Sequence, residues 1–197
     1  MLLDIILAFL IGSIPTGYLL NKYFGQGDIR KVGSGNIGAT NVLRHSGKLL
    51  GLLTLLIDIG KGFLALELLW QGSGGRWSIT ILGSLVILGH IFSPWLKFKG
   101  GKGVATMLGV ILFISTLTNA GIGHIFFVTT FSWLMIVFFT KYVALGSVIS
   151  LTIATIYSFF YLPSLFLFFV LMTLLITYRH KDNFERIRNK TEHKISF

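Results

Sequence analysis

Seven apolar segments that fill most of the chain are the feature that most constrains its fold. They lie at about residues 2–24, 49–70, 79–96, 104–117, 121–139, 143–161 and 165–178. An α-helix needs roughly 20 mainly apolar residues to cross the hydrocarbon layer of a bilayer. Only 12% of the residues are charged, too few to cover the surface of a soluble domain. The sequence therefore predicts an all-α, polytopic membrane helix bundle, a single integral domain over residues 1–197 whose first segment is retained as a span.

The number of crossings depends on the fourth segment, residues 104–117, which is short for a membrane span. It would either cross as a tilted, partial span or enter the membrane and return together with a neighbouring segment. If both members of such a pair failed to cross, every later loop would keep its side of the membrane. We therefore expect between five and seven crossings and prefer about seven transmembrane helices.

Basic residues are concentrated in alternate connections between the apolar segments, and this pattern indicates the orientation. With the N-terminus outside, 14 of the 17 Lys and Arg residues fall on the cytoplasmic side, in residues 25–48, 97–103, the turn at Lys141 and the tail from Arg179. The other three are Lys22, Lys61 and Arg76. Because cytoplasmic loops carry an excess of Lys and Arg, we expect the N-terminus outside and the C-terminus in the cytoplasm. This topology explains the net charge of +10 without a nucleic-acid partner.

The connections predicted to face outward are short and contain few side chains suited to binding or catalysis. They are residues 71–78, residues 118–120 and the turn around Pro163. We therefore expect the functional groups on the cytoplasmic face, in the loops 25–48 and 97–106 and in the tail 179–197.

The first cytoplasmic loop carries the string SGNIGATNVLR at residues 34–44. Short hydroxyl and amide side chains next to an arginine can bind a phosphate and sugar-like hydroxyls together. A flexible Gly/Ser/Asn linker, in which Thr40 or Asn41 only caps a neighbouring element, is the alternative. The density of amide side chains beside the arginine favours binding. The candidate residues are Ser34, Gly35, Asn36, Asn41 and Arg44.

The second cytoplasmic loop carries the string KFKGGKGVAT at residues 97–106. Glycines allow the backbone to turn its N–H groups toward one point, and a helix that begins at about Val104 would direct its positive end there. The spacing is not that of a Walker A loop. The alternative is a basic loop whose lysines only fix topology. The candidate anion-binding residues are Lys97, Lys99, Gly100, Gly101, Lys102, Gly103 and Thr106.

Several polar residues lie inside the apolar segments. Pro15, flanked by two glycines, must kink the first span or free a carbonyl, and the glycines favour close helix packing. Asp58 and Lys61 share one face of the second span, either as a functional pair or as a self-neutralising pair that joins helices. His90 would be a base or a polar anchor. There is no cysteine, and no two histidines have a metal-ligand spacing, so we expect no metal site.

The basic tail is typical of a positive-inside terminus, but its pattern also predicts a short amphipathic helix. That helix would carry polar side chains back toward the loops. The candidate residues of the tail are His180, Asn183 and Arg186.

Three of these strings, taken in order, resemble the motifs of the bacterial acyl-phosphate:glycerol-3-phosphate acyltransferase family. They are residues 34–44; Gly89-His90 with Pro94 and residues 98–106; and His180-x-x-Asn183-x-x-Arg186, which continues to Glu192 and Lys194. Residues 12–18 and Asp58-x-x-Lys61-Gly62 also agree. The third motif departs from the family pattern at Lys190, where glycine is usual, and at Glu185, where a basic residue is common.

The resemblance implies a multi-pass enzyme of the bacterial inner (plasma) membrane with seven spans and an active site that faces the cytoplasm. It implies transfer of a fatty acyl group from acyl phosphate to the 1-hydroxyl of glycerol 3-phosphate, which gives lysophosphatidate and phosphate for phospholipid biosynthesis. It further implies that catalysis needs no covalent acyl-enzyme, no metal and no cofactor. Membrane lipid would surround the protein. Catalytic roles would fall to Ser34, Arg44, Lys102, His180 and Asn183, and substrate-binding roles to the other candidates, including His90 and Arg186. His90 and His180 are possible bases, but the resemblance favours the donor phosphate as the proton acceptor.

Two alternative functions would use the same basic loops for binding and without catalysis. A transporter or channel for a small phosphorylated anion would suit the interrupted spans and the Asp58/Lys61 pair. It would also predict polar residues along a route to the outer face, where the connections are short and plain. A lipid-binding scaffold would bind anionic headgroups with its lysines.

Overall fold

The chain folds as an all-α protein in the computed structural model, which describes residues 2–70, 75–117 and 124–195. No strand occurs in these ranges, so the all-α prediction is confirmed. The helices are α1 (Leu2–Ser13), α2 (Thr16–Tyr23), α3 (Ala39–Ser46), α4 (Lys48–Leu69), α5 (Gly75–Ile91), α6 (Val104–Thr116), α7 (His124–Thr140), α8 (Val143–Tyr161), α9 (Phe166–Arg179) and α10 (Lys181–Arg188). Short 3-10 turns lie at Ile29–Lys31, Pro94–Leu96 and Pro163–Leu165.

The apolar segments of the sequence correspond to helices of unequal length. Three helical stretches are long and apolar enough to cross a membrane, namely Lys48–Leu69, Gly75–Leu96 and Val143–Tyr161. Two bent pairs, Leu2–Ser13 with Thr16–Tyr23 and Pro163–Arg179 with Lys181–Arg188, raise the number to five. The helices α6 and α7 are apolar but shorter than 18 residues. By length and composition the described residues thus supply three to five spans, against about seven expected. The expected start of the fifth segment at Gly121 and the outer connections 71–74 and 118–120 lie outside the described residues.

The chain divides into two compact units, residues 1–113 and 114–197. In the first unit, α1 packs against α5 through two reciprocal glycine contacts. A Cβ added to Gly12 would stand 2.0 Å from the carbonyl oxygen of Val86, and one added to Gly89 would stand 2.2 Å from that of Phe9. Only glycine permits backbones to approach so closely. The packing interpretation of the glycines around Pro15 is confirmed for Gly12.

The helices α4 and α6 repeat this arrangement. A Cβ on Gly62 would lie 2.2 Å from the carbonyl oxygen of Thr106, and a Cβ on Gly109 would lie 2.0 Å from that of Ile59. The beginning of α6, which follows the second cytoplasmic loop, is therefore held tightly against the middle of α4.

The first apolar segment is broken at Pro15, as the sequence predicts. The helix α1 ends at Ser13, α2 begins at Thr16, and their axes differ by 48°. Proline has no N–H and clashes with the preceding turn, so a straight helix cannot pass through it. The break exposes the carbonyl of Ile14, which accepts hydrogen bonds from the Thr16 N–H at 3.0 Å and from Lys61 Nζ at 2.9 Å.

In the second unit, α8 packs against α7 and α9. Polar side chains join the helices, because the hydroxyls of Thr155 and Thr173 lie 2.9 Å apart on α8 and α9. The chain returns to the α7–α8 connection near its end, where the Ile195 N–H donates to the carbonyl of Lys141 at 2.9 Å.

Candidate active site

The loop that carries Ser34 is closed by one buried amide, the side chain of Asn41 in the first turn of α3. Its Oδ1 accepts a hydrogen bond from the Ser34 N–H at 3.2 Å. Its Nδ2 donates to the carbonyls of Asn36 at 2.9 Å, Val32 at 3.1 Å and Ile29 at 3.3 Å. Asn41 is only 4% exposed. The amide therefore organises the loop from inside, and Ser34 lies exposed at its tip.

Two glycines give the loop its shape on either side of Ser34. Gly33 and Gly35 have φ angles of 57° and 67°, a left-handed region that side chains disfavour. A Cβ on Gly33 would also lie 2.4 Å from Asn41 Oδ1. The Asn36 side chain accepts from the Gly38 N–H at 2.9 Å and so leads the chain into α3. Arg44, half-buried in the last turn of α3, follows Asn41 by three residues and lies on the same side of the helix.

The first and second cytoplasmic loops share one hydrophobic cluster. It contains Ile29, Ile37, Val42, Leu50 and Leu96. Because Leu96 directly precedes the second loop and Ile37 lies in the first, the cluster fixes the start of the second loop with respect to the first.

An exposed ion pair holds the beginning of the first loop. Arg30 donates from Nε to Asp28 Oδ1 at 2.9 Å and from its terminal nitrogen to Oδ2 at 2.7 Å, and its guanidinium lies 4.7 Å from the centre of the Tyr18 ring. These hydrogen bonds lower the pKa of Asp28 from 3.8 to about 2. The contribution of the pair to stability is therefore present above pH 3.8 and is lost as the pH falls through about 2. Arg30 thus stabilises the loop and is engaged with Asp28.

The segment that leads into the second cytoplasmic loop is tied to the end of α1. Ser93 Oγ donates to the carbonyl of Ser13 at 2.6 Å, and Trp95 Nε1 donates to Ser13 Oγ at 2.8 Å. Lys97 and Phe98 then follow with φ angles of 54° and 61°. Consecutive left-handed residues other than glycine are strained, and such strain concentrates at functional sites.

The glycine turn, which we define as Gly100 and Gly101, lies against the C-terminal end of α5. The Gly100 N–H donates to the carbonyl of Ile91 at 3.0 Å, and the Gly101 N–H donates to that of His90 at 3.1 Å. These two N–H groups satisfy helix-terminal carbonyls, so they do not point to an anion as the sequence suggested. The N–H groups suited to an anion belong to the first turn of α6, which begins at Val104 as predicted.

The lysines of this loop differ in exposure. Lys97 and Lys99 are exposed, whereas Lys102 is half-buried, directly before Gly103 and α6. Thr106 is fully buried, and its backbone packs on Gly62. Of the three predicted lysines, Lys102 therefore lies nearest in the chain to the N-terminus of α6. Thr106 lies inside the contact between α4 and α6.

In the second unit, Glu192 joins two of the predicted tail residues. Asn183 Nδ2 donates to Glu192 Oε1 at 2.9 Å, and Arg186 Nε donates to Oε2 at 2.6 Å. The His180 ring is 3% exposed, and its Nδ1 lies 2.8 Å from the carbonyl of Ile176. A carbonyl only accepts, so Nδ1 carries the hydrogen and Nε2 is the remaining ring nitrogen. The helix predicted for the tail is confirmed as α10.

Comparison with known proteins identifies the family. The profile described as glycerol-3-phosphate acyltransferase matches residues 2–190. The chain is 39% identical over 192 residues to glycerol-3-phosphate acyltransferase of Thermotoga petrophila, covering 97% of this chain and 94% of the relative. It is 43% identical over 201 residues to glycerol-3-phosphate acyltransferase 2 of Lactobacillus johnsonii, covering 100% and 88%. The chain belongs to the glycerol-3-phosphate acyltransferase family.

Solved structures agree with this assignment. The crystal structure of PlsY (YgiH), an integral membrane glycerol 3-phosphate acyltransferase, in its glycerol 3-phosphate form superposes with a TM-score of 0.90 at 35% identity, covering 99% of this chain and 95% of that one. The lysophosphatidic acid form gives a TM-score of 0.87 at 34% identity, with the same coverage. The resemblance to this acyltransferase family is confirmed, and the chain is an integral membrane protein.

The acyltransferase motifs divide between the two units. The first and second motifs lie in unit 1, on the cluster that contains Leu96, and the third lies in unit 2 around Glu192. Sequence reasoning did not count Glu192 among the site residues. The sequence contained a signal for it, since this acid lies among basic residues six positions after Arg186.

Proposed function

We propose that the protein transfers a fatty acyl group from acyl phosphate to the 1-hydroxyl of glycerol 3-phosphate. The observation that carries the proposal is the family match over residues 2–190, which includes the first two motifs and the third as far as Arg186. The substrate is supported by a relative solved in a glycerol 3-phosphate form and by another form that contains lysophosphatidic acid. The acyl-phosphate donor rests on the resemblance of the motifs.

Glycerol 3-phosphate is assigned to the groups of unit 1. Ser34 is exposed at the tip of a loop with a fixed shape, and Arg44 and Lys102 are half-buried cations. Arginine offers a planar fork for phosphate oxygens and lysine a compact point charge. The first turn of α6 adds backbone N–H groups and a positive helix end. The buried amide of Asn41 fixes the loop that carries Ser34, which lowers the entropy lost on binding.

The acyl phosphate is assigned to the exposed Lys97 and Lys99 of the second loop. In the reaction, the 1-hydroxyl oxygen of glycerol 3-phosphate bonds to the acyl carbon, and the bond from that carbon to the phosphate oxygen breaks. Orientation of two bound reactants lowers a barrier by about 7–11 kcal/mol in well-aligned cases. Cations that neutralise the departing phosphate lower it further.

The hydroxyl proton passes to an oxygen of the departing phosphate, so no side chain is consumed as a base and no acyl-enzyme forms. His90 supports this assignment, because it is 4% exposed and lies against the glycine turn. His180 is held by the Ile176 carbonyl through Nδ1. We therefore assign both histidines a positioning role and not the role of a base.

The decisive experiment offers the purified protein two classes of acyl donor together with glycerol 3-phosphate. We expect acyl phosphate to give equal amounts of lysophosphatidate and inorganic phosphate, and an acyl thioester of the same chain to give no product. Product from the thioester alone would overturn the donor assignment. Movement of glycerol 3-phosphate across proteoliposomes without any acyl product would instead support a transporter.

We also propose seven spans with the N-terminus outside and all three motifs on the cytoplasmic face of the inner membrane. When each of the two bent pairs of the described residues counts as one span, the two shorter apolar helices α6 and α7 raise the number from five to seven. Because the chain has no cysteine, single cysteines at Ser34, Lys99 and Asn183 can be labelled in intact cells. None should react from outside, whereas a cysteine at Arg76 should. External labelling of any of the three would contradict this arrangement.

A further inference from the structure

A buried ionic cluster of Asp58, Lys61 and His90 lies next to the glycine turn. The three residues are 2%, 6% and 4% exposed. Lys61 Nζ lies 2.7 Å from Asp58 Oδ1, and His90 Nδ1 lies 3.7 Å from the same oxygen. Ionisable groups inside a membrane protein are costly to bury and mark functional sites. The contacts at the two ends of the cluster show what it connects.

One end of the cluster reaches the broken first span. Lys61 Nζ donates to the carbonyl of Ile14 at 2.9 Å, at the break that Pro15 creates between α1 and α2. Lys61 therefore ties α4 to the break and is held in place by the carboxylate of Asp58.

The other end of the cluster sets the position of the glycine turn. A Cβ on Gly101 would lie 2.1 Å from His90 Nε2, so the ring fills all the space beside this glycine. The carbonyl of His90 also accepts the Gly101 N–H at 3.1 Å. A Cβ on Gly100 would lie 2.0 Å from that carbonyl oxygen. A shift of the His90 ring would consequently displace the turn, and Lys102 follows the turn directly.

We propose that Asp58 and Lys61 are positioning residues that act through His90 to fix the glycine turn, and with it Lys102, in the geometry that binds phosphate. The identity of that ligand as glycerol 3-phosphate rests on the proposed function. Asp58 and Lys61 touch no substrate in this scheme. Their effect runs from the Ile14 carbonyl through Lys61, Asp58 and His90 to Gly101.

A purely structural pair makes a different prediction. If Asp58 and Lys61 only held α4 against α1, their removal would lower stability and leave the affinity for glycerol 3-phosphate unchanged. A positioning role requires a loss of affinity in protein that is still folded, with a smaller effect on kcat at saturating substrate.

Two variants and one matched control separate these cases. The double variant Asp58→Asn/Lys61→Met removes both charges together, so that no single charge is left buried and unpaired. Asp58→Asn alone keeps the shape of the side chain. The control is Thr54→Ala, because Thr54 is fully buried on the same helix and its hydroxyl donates only to the Leu50 carbonyl of that helix, at 2.7 Å.

Glycerol 3-phosphate binding is measured by calorimetry, KM and kcat are measured by turnover, and amide exchange at Gly100 and Gly101 is measured without substrate. We expect the Kd and KM to rise roughly 10–100-fold in both variants, the range found when the hydrogen-bond partners of metal ligands are removed. Exchange at the two glycines should accelerate. Thr54→Ala should match the parent in all three measurements.

The proposal is overturned if a folded variant binds glycerol 3-phosphate and exchanges at Gly100 and Gly101 as the parent does. It is also overturned if both variants fail to fold while Thr54→Ala folds, since the cluster would then serve only to join helices. Failure of the parent protein to bind glycerol 3-phosphate would count against the proposed function instead. The amide exchange would still test the link from Asp58 to the turn in that case.

Discussion

The carboxylate of Glu192 accepts a hydrogen bond from Arg186 at 2.6 Å and so folds the end of the chain back onto α10. The side chain of Glu192 is only 8% exposed, although it belongs to a terminal segment. Its second oxygen accepts from Asn183 at 2.9 Å. One acid therefore orients two side chains of the third motif.

Replacement of Glu192 by Ala should release both side chains and loosen α10. A hydrogen bond to a charged group contributes about 1.5–3 kcal/mol, so we expect much faster amide exchange in α10 and a large loss of activity. The control is Glu185→Ala, an exposed acid on α10, which should resemble the parent. Equal effects of the two substitutions would show that Glu192 holds nothing specific.

The glycine contact between α4 and α6 gives a prediction about stability. Gly62→Ala should lower the free energy of unfolding by roughly 1–3 kcal/mol, the cost of overpacking a tight contact, because its Cβ would meet the Thr106 carbonyl at 2.2 Å. Gly60 has no neighbour within 4 Å of an added Cβ. Gly60→Ala should therefore be neutral or stabilising by up to about 1 kcal/mol. Thermal unfolding in detergent compares the two, and equal melting temperatures would contradict the tight contact.

Lys102→Ala should act mainly on the binding of glycerol 3-phosphate. Loss of a charged hydrogen bond worth about 1.5–3 kcal/mol predicts a rise in KM of one to two decades. Lys102→Arg should restore little, because a planar guanidinium does not reproduce a compact ammonium. Lys48→Ala, an exposed lysine at the start of α4, is the control. Parent-like KM in Lys102→Ala would remove this lysine from the site.

Asn41→Asp should disrupt the loop that carries Ser34, even though the two side chains have the same shape. The substitution turns the Nδ2 donor into an acceptor that faces three carbonyl oxygens, those of Ile29, Val32 and Asn36. Unsatisfied buried groups cost about 1–3 kcal/mol each, so both stability and kcat/KM should fall. The exposed Asn189→Asp should have no such effect. A fully active Asn41→Asp protein would show that the loop does not depend on this amide.

His180→Gln should reduce turnover without changing the shape of the pH–rate profile. If the departing phosphate takes the proton, the titrating group belongs to the substrate and remains in the variant. A general base contributes about 10²–10⁴-fold. Profiles are compared with both substrates saturating. A fall of about three decades or more, in the upper part of that range, together with loss of the basic limb, would identify His180 as the base and exclude a substrate-assisted mechanism.

Local sequence patterns predicted the apolar helices and the break, because these depend on near neighbours, whereas α3 lies in residues that were predicted as a loop. Val143–Tyr161 is an apolar stretch that ends just before Pro163, and it is a helix over those residues. Pro15 breaks the first span for covalent reasons. The beginning of α6 at Val104 follows from the glycines before it.

Contacts between distant residues were not predictable in the same way. The glycine turn donates its N–H groups to α5, which the string KFKGGKGVAT does not reveal. Asn41 was predicted to bind substrate, yet its amide is engaged with the loop backbone. The partner of an amide or a lysine depends on which backbone lies beside it in the folded chain, and that information comes from tertiary packing.

The hydrogen bond from Lys61 to Ile14 affects how the protein is inserted into the membrane during its own synthesis, because 47 residues separate the two partners. A ribosome makes the broken first segment well before it makes the lysine that caps the exposed carbonyl. Insertion into the bilayer follows the order of synthesis, so the first segment reaches the membrane with that carbonyl still lacking its lysine. The geometry of the break is therefore completed only when α4 packs beside it.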